Sequence, residues 1–187
     1  MPNPRLATRY AKSLIDLSIE RGQLEDVYAD MQWLNRVTVS NPDFVNVLRS
    51  PIIKADKKIK IVEAVISGTV SELTLAFSRL LINKGRESNF PEIISAFITQ
   101  YKVYKNIHTI TLTTATVASD AMKEAIINQV KKSSGFENIE LQTAVDERLI
   151  GGFVLQAGDK LVDASIQSDL RTIARQFENN DFVYKIR

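Results

Sequence analysis

Few residues in this chain could do covalent chemistry, and their spacing does not favour it. There is one histidine and no cysteine, which excludes thiolate zinc sites, thiol nucleophiles and two-histidine metal centres. His108 stands at the head of a stretch in which His108, Ile110 and Leu112 alternate with Thr109, Thr111 and Thr113. A general base needs a nucleophile beside it. No serine-centred elbow accompanies His108, so a structural or edge position is expected. Asp146 and Glu147 could serve as acid and base only if both carboxyls met one substrate, and adjacent side chains at a strand end point apart. Gly151-Gly152 is the one glycine pair. A phosphate-cradling loop runs from a strand into a helix, whereas these glycines precede a strand, so a sharp bend is the expected use. Lys54, Lys57, Lys58 and Lys60 form a basic cluster interrupted by Asp56. On a helix that turns Ile59 and Val62 inward they read as the solvent side, without the interleaved aromatics of a nucleic-acid face. A helical adaptor gripping RNA through Lys54 to Lys60 is the alternative function, and a hydrolase built on His108 a third. No catalytic, cofactor-binding or metal-binding residues emerge.

The elements that carry these residues follow from hydrophobic period. Seven Gly and five Pro in 187 residues are too few for a turn-rich sandwich or barrel, and helix should dominate. Leu6, Tyr10, Leu14 and Leu17 recur at helical spacing between Pro4 and Ile19. Val27, Met31, Leu34 and Val37 do so between Leu24 and Val39. Asn41-Pro42 predicts an N-cap with proline in the first turn of a third helix, which Ser50-Pro51 closes. Lys54 to Ile66 predicts a fourth helix. Thr69 and Glu72 fit a capping box for a fifth, on which Leu73, Phe77, Leu80 and Leu81 share a face. A sixth carries Ile94, Phe97, Ile98 and Tyr101 to about Lys105.

The period changes at Ile107 from helical to alternating. A strand there, a helix capped by Ser119 and carrying Met122, Ile126, Ile127 and Val130, and a strand with Ile139, Leu141, Thr143 and Val145 follow in turn. A hairpin is predicted through Gly158-Asp159, then a final helix with Ile166, Leu170, Ile173 and Phe177 on one face. The fold class is therefore mainly α: a six-helix bundle over residues 1–105 followed by a small α/β domain over residues 106–187. With 24 basic against 22 acidic side chains, the net charge is +2, which argues against a nucleic-acid binder working by bulk charge. No apolar run approaches the ~18 residues of a membrane span. Met1-Pro2-Asn3-Pro4-Arg5 leads into no signal-peptide core, and Asp16 and Glu20 in the first amphipathic stretch disfavour a transit peptide. No membrane insertion is expected.

The chain resembles the δ subunit of F-type ATP synthases, called the oligomycin-sensitivity-conferring protein in mitochondria. Arg9-Tyr10-Ala11-Lys12-Ser13-Leu14 is similar to that family's opening helix, and Asn83-Lys84-Gly85-Arg86 to the turn after its fifth. The most specific match is Asp146-Glu147-Arg148-Leu149-Ile150-Gly151-Gly152-Phe153, with Gly158-Asp159-Lys160 and Asp163-Ala164-Ser165-Ile166 after it. The resemblance implies a non-catalytic stator subunit, monomeric within a hetero-oligomeric complex, peripheral to the cytoplasmic face of a bacterial inner membrane. It implies that the helical domain holds the N-terminal helix of an α subunit and that the C-terminal domain meets the end of the b subunit. On helices one and five, Tyr10, Ala11, Leu14, Phe77 and Leu80 are the expected groove residues. Gly151, Gly152, Asp163 and Ser165 are expected to shape the strand entry and cap the last helix.

Overall fold

The computed structural model describes residues 4–134, 136, 138–158 and 160–178. Met1 to Asn3, Asp159 of the expected hairpin turn and the side chain of Phe177 lie outside the described residues. The backbone divides between Tyr104 and Lys105 into two compact units.

The first unit holds α1 (Pro4–Glu20), α2 (Leu24–Ser40), α3 (Pro42–Arg49), α4 (Ala55–Ile66), α5 (Glu72–Asn83) and α6 (Phe90–Tyr104), with a 3-10 turn at Glu87–Asn89 leading into α6. Burial explains why α6 is the pillar of this unit. Phe90, Ile93, Ile94, Phe97 and Tyr101 are all buried, and α6 packs against both α1 and α2. The Tyr101 ring stacks on Tyr28 of α2 at 3.7 Å between centroids, and its hydroxyl donates to Glu25 at 2.5 Å. Desolvation first, then that hydrogen bond to a carboxylate, pushes the phenol well above its ordinary pKa, so it stays a donor at any physiological pH.

The face that α1 buries differs from the row of large residues that the spacing suggested. Ala7, Ala11, Leu14, Ile15 and Ser18 are buried, whereas Leu6, Tyr10 and Leu17 are half-buried. Small side chains let α6 approach closely, and the bulkier row is left beside the core rather than in it. Two expected caps also change. Asn41 stands at the N-cap of α3 with Pro42 in its first turn, as expected, but makes no capping bond with its side chain, whose amide donates instead to Val37 O at 3.1 Å and finishes α2. The cap of α5 is Ser71, not Thr69: its hydroxyl oxygen accepts from Thr74 N at 3.3 Å. Asp30 of α2, 8% exposed, decides the matter by accepting from Ser71 N at 2.8 Å, Ser71 Oγ at 2.6 Å and Thr74 Oγ1 at 2.8 Å. The start of α5 is thereby tied to α2.

The second unit runs β1 (Ile107–Thr114), α7 (Asp120–Ser134), β2 (Asn138–Val145), a 3-10 turn (Glu147–Leu149), β3 (Gly152–Ala157), β4 (Lys160–Ser165) and α8 (Ile166–Glu178). The four strands order as β2-β1-β3-β4. β1 and β2 are parallel, joined through α7, while β3 is antiparallel to both β1 and β4. A parallel pair needs a crossover and an antiparallel pair only a turn, so the helix falls after β1 and the hairpin after β3. Ile110, Leu112 and Thr114 fill the centre beneath the sheet, and β4 is exposed up to its last residue, Ser165.

Candidate docking groove

α1 and α5 run alongside each other in opposite directions. The beginning of α1 lies beside the turn after α5, where Arg5, Leu6, Arg9, Tyr10 and Arg86 line a cleft of about 300 Å³. The end of α1 lies beside the beginning of α5, where Arg21, Gln23, Glu72, Leu73 and Ala76 line a second cleft of about 230 Å³. Along the same two helices some apolar side chains are left only partly covered by core packing. Tyr10 and Leu17 on α1 and Phe77 on α5 are half-buried, and Leu80 is 44% exposed. Apolar side chains that a fold leaves partly uncovered on neighbouring helices are the kind of surface on which an amphipathic helix docks.

The structure separates the five expected groove residues into two sets. Ala11 and Leu14, at 0% and 1% exposure, lie inside the bundle. Tyr10, Phe77 and Leu80 remain accessible. Leu6, Leu73 and Ala76 join them as lining, and Arg5, Arg9, Arg21, Glu72 and Arg86 as rim. The missed signal in the sequence was the pair of interleaved rows on α1: the row built of small residues packs inward, and the row with Leu6 and Tyr10 is the spare one.

In the second unit the glycine pair makes a bend that seats α8. Ile150, held at φ +64°, precedes it. A side chain on Gly152, at φ +76°, would fall 2.1 Å from the Ala164 carbonyl oxygen, and one on Gly151 would fall 2.7 Å from Ile166 Cδ1. The Gly151 carbonyl accepts from Ile166 N at 3.1 Å. Asp163 Oδ1 accepts from Ser165 N at 3.0 Å, and the Ser165 hydroxyl oxygen accepts from Ser168 N at 3.1 Å. Hydrogen bonding from Ser165, through its side chain first and its backbone next, holds the Asp163 carboxyl below the ordinary carboxylate value. These four residues therefore fix the start of α8. Beyond it, Ile166, Leu170 and Ile173 at 46%, 52% and 47% exposure form an apolar row with little cover.

The remaining candidates for chemistry are occupied otherwise. Asp146 accepts from Arg148 Nε at 2.9 Å and Nη2 at 3.0 Å, and this side-chain pairing, with the Arg148 backbone N–H second, lowers its pKa. It is a turn residue, not half of an acid/base pair. His108 shares a face of β1 with Ile110 and Leu112 but stands exposed at the strand's start, stacked on Phe136 at 3.7 Å, the structural edge position expected for it. Lys58 overturns the reading of Lys54 to Lys60 as one solvent face. It is 3% exposed, donating to Leu48 O at 2.7 Å and to Glu87 Oε1 at 2.8 Å. A lysine committed to two oxygens offers nothing to a phosphate, and the RNA-adaptor reading finds no support. Among the described residues, no group of three or more potential metal ligands occurs, and no helix is long and apolar enough to cross a membrane.

Comparison with known proteins agrees with this architecture. A family model described as ATP synthase delta (OSCP) subunit matches residues 6–177. An ATP synthase subunit delta of Cytophaga hutchinsonii is 36% identical over 177 residues, covering 95% of this chain and 96% of that one. A chloroplastic ATP synthase subunit delta of Guillardia theta is 32% identical over 173 residues, covering 92% and 94%. In structure, a chain of the Toxoplasma gondii mitochondrial ATP synthase hexamer superposes with a TM-score of 0.68 at 18% identity, covering 92% of this chain and 97% of that one; that likeness is one of fold.

Proposed function

The chain belongs to the ATP synthase delta (OSCP) subunit family, and we propose that within ATP synthase it acts as a non-catalytic stator, tying the catalytic head to the peripheral stalk. The observation that carries this reading is the groove between α1 and α5, whose outward apolar side chains fit the N-terminal helix of an α subunit. The row Ile166, Leu170 and Ile173 on α8 is the complementary surface for the end of the b subunit. Burying four or five apolar side chains of a docked helix yields on the order of 10 kcal/mol before association costs are subtracted, which leaves a weak contact of tens of micromolar or less tight. No bond is made or broken in this role. The chain holds neighbours still while rotation and nucleotide chemistry proceed elsewhere, and it sits peripherally, on the cytoplasmic side of a bacterial inner membrane.

The experiment is a titration of the purified protein with a synthetic peptide of the α-subunit N-terminal helix. Binding at tens of micromolar peptide is expected, and Leu80→Asp should weaken it by about tenfold or more while far-ultraviolet dichroism is unchanged, because Leu80 is not part of the core. Absence of binding at about 100 μM would refute the assignment of the groove.

A further inference from the structure

The two mouths of the groove differ in charge, one wholly basic and the other mixed. At one, Arg5, Arg9 and Arg86 surround a cleft floored by Leu6 and Tyr10, with no acidic residue in the lining. None of the three guanidinium groups has a side-chain hydrogen bond or ion pair among the described residues. At the other mouth Glu72 appears beside Arg21. Helical spacing places Arg5, Arg9, Asp16 and Glu20 on one exposed row of α1, so this rim runs from basic to acidic. The facing helix runs the opposite way, from Glu72 at its start to Lys84 and Arg86 just past its end. Both rims are thus basic at the same end.

We propose that Arg5, Arg9 and Arg86 receive carboxylate side chains of the helix docked in the groove and so fix which way round it lies. The proposal rests on the reading of the groove as the seat of an α-subunit helix and adds the direction of that helix. Three planar guanidinium forks around one cleft match carboxylates that reach out from a helix already seated on the apolar floor. Helices tend to carry acids in their first turns and bases in their last. An occupant with that pattern lies parallel to α1, with its first turns over the arginines and its last over Asp16, Glu20 and Glu72. Charges at an exposed rim act mainly on encounter and orientation, and the apolar row supplies the affinity.

The test is a double-mutant cycle on the full chain. Its two arms are Arg9→Gln/Arg86→Gln in the protein and replacement of every Asp and Glu by Asn and Gln in the α-subunit N-terminal peptide. Either change alone should weaken binding by roughly fivefold at about 0.02 M salt, both together should cost no more than one, and the difference should vanish near 1 M salt. Losses that multiply, or a peptide indifferent to removal of its acids, overturn the proposal while leaving the groove intact. So does binding of phosphatidylglycerol vesicles that depends on the same arginines while peptide affinity is unchanged. Failure of the unaltered peptide to bind the unaltered protein sinks the groove assignment itself, a result distinguishable from the others.

Discussion

Gly152 is the residue at which chemistry leaves the least choice. A left-handed backbone costs an ordinary side chain about 1–2 kcal/mol, and here the added Cβ would also fall 2.1 Å from the Ala164 carbonyl oxygen. Gly152→Ala should therefore destabilise the second unit by more than about 2 kcal/mol. Calorimetry on the full chain should register the loss. Fluorescence of Trp33, the single tryptophan, sits on α2 in the first unit and should not move. Asp163 gives a pH-dependent counterpart. Its carboxyl is held below the ordinary value by Ser165, so its contribution is complete above the unfolded-state pKa of about 3.9 and is lost as pH falls through the lower folded value. Asp163→Asn should lower the stability of α8 at neutral pH, and the gap to the unaltered protein should close on acidification below about pH 4. A gap that stays constant down to pH 2 would show that the Asp163 charge is irrelevant to the cap.

Lys58 shows how an element can be fixed by a group that sequence patterning assigns to solvent. From α4 its ammonium reaches the end of α3 at Leu48 O and the 3-10 turn at Glu87, so one cation joins three elements. Lys58→Ala leaves the half-buried Glu87 carboxylate without its partner and should cost about 3 kcal/mol, whereas Lys58→Met with Glu87→Leu should recover most of it. Urea unfolding followed by Trp33 fluorescence measures both, and equal losses in the single and double variants would show the pair to be incidental. The same element marks what periodicity can and cannot reveal. Order and type of the helices and strands were legible because apolar spacing of four and three, then of two, is written locally. The inward row of α1 was not legible, because which of two adjacent rows packs depends on how closely α6 can approach. Lys58 was illegible for the same reason: its partners are 10 and 29 residues away, and only the packed bundle brings them together. Of the proposed groove, Tyr10, Phe77 and Leu80, all left partly exposed, could be named from the chain, while the arginine mouth needed the placement of α1 beside the end of α5.

The proposed stator role requires the whole molecule to hold under torque, and a single weak groove would be stripped and rebound continually. Two weak surfaces on one chain behave differently, since capture at one raises the local concentration of the partner at the other. The break between Tyr104 and Lys105 puts the groove of α1 and α5 on one unit and the α8 row on the other, so the two surfaces share no residue and their free energies should add. Leu80→Asp and Leu170→Asp test this together, because both side chains are largely exposed, at 44% and 52%, and their loss should change stability by no more than about 0.5 kcal/mol. In complexes rebuilt from head, stalk and this subunit, each variant should weaken retention by about tenfold and the double variant by about a hundredfold. ATP hydrolysis by the detached head should be unaffected, while ATP synthesis driven by a proton gradient should fall in step with retention. If the double variant is retained as well as either single one, the molecule grips through one surface only, and the α8 row serves some other purpose.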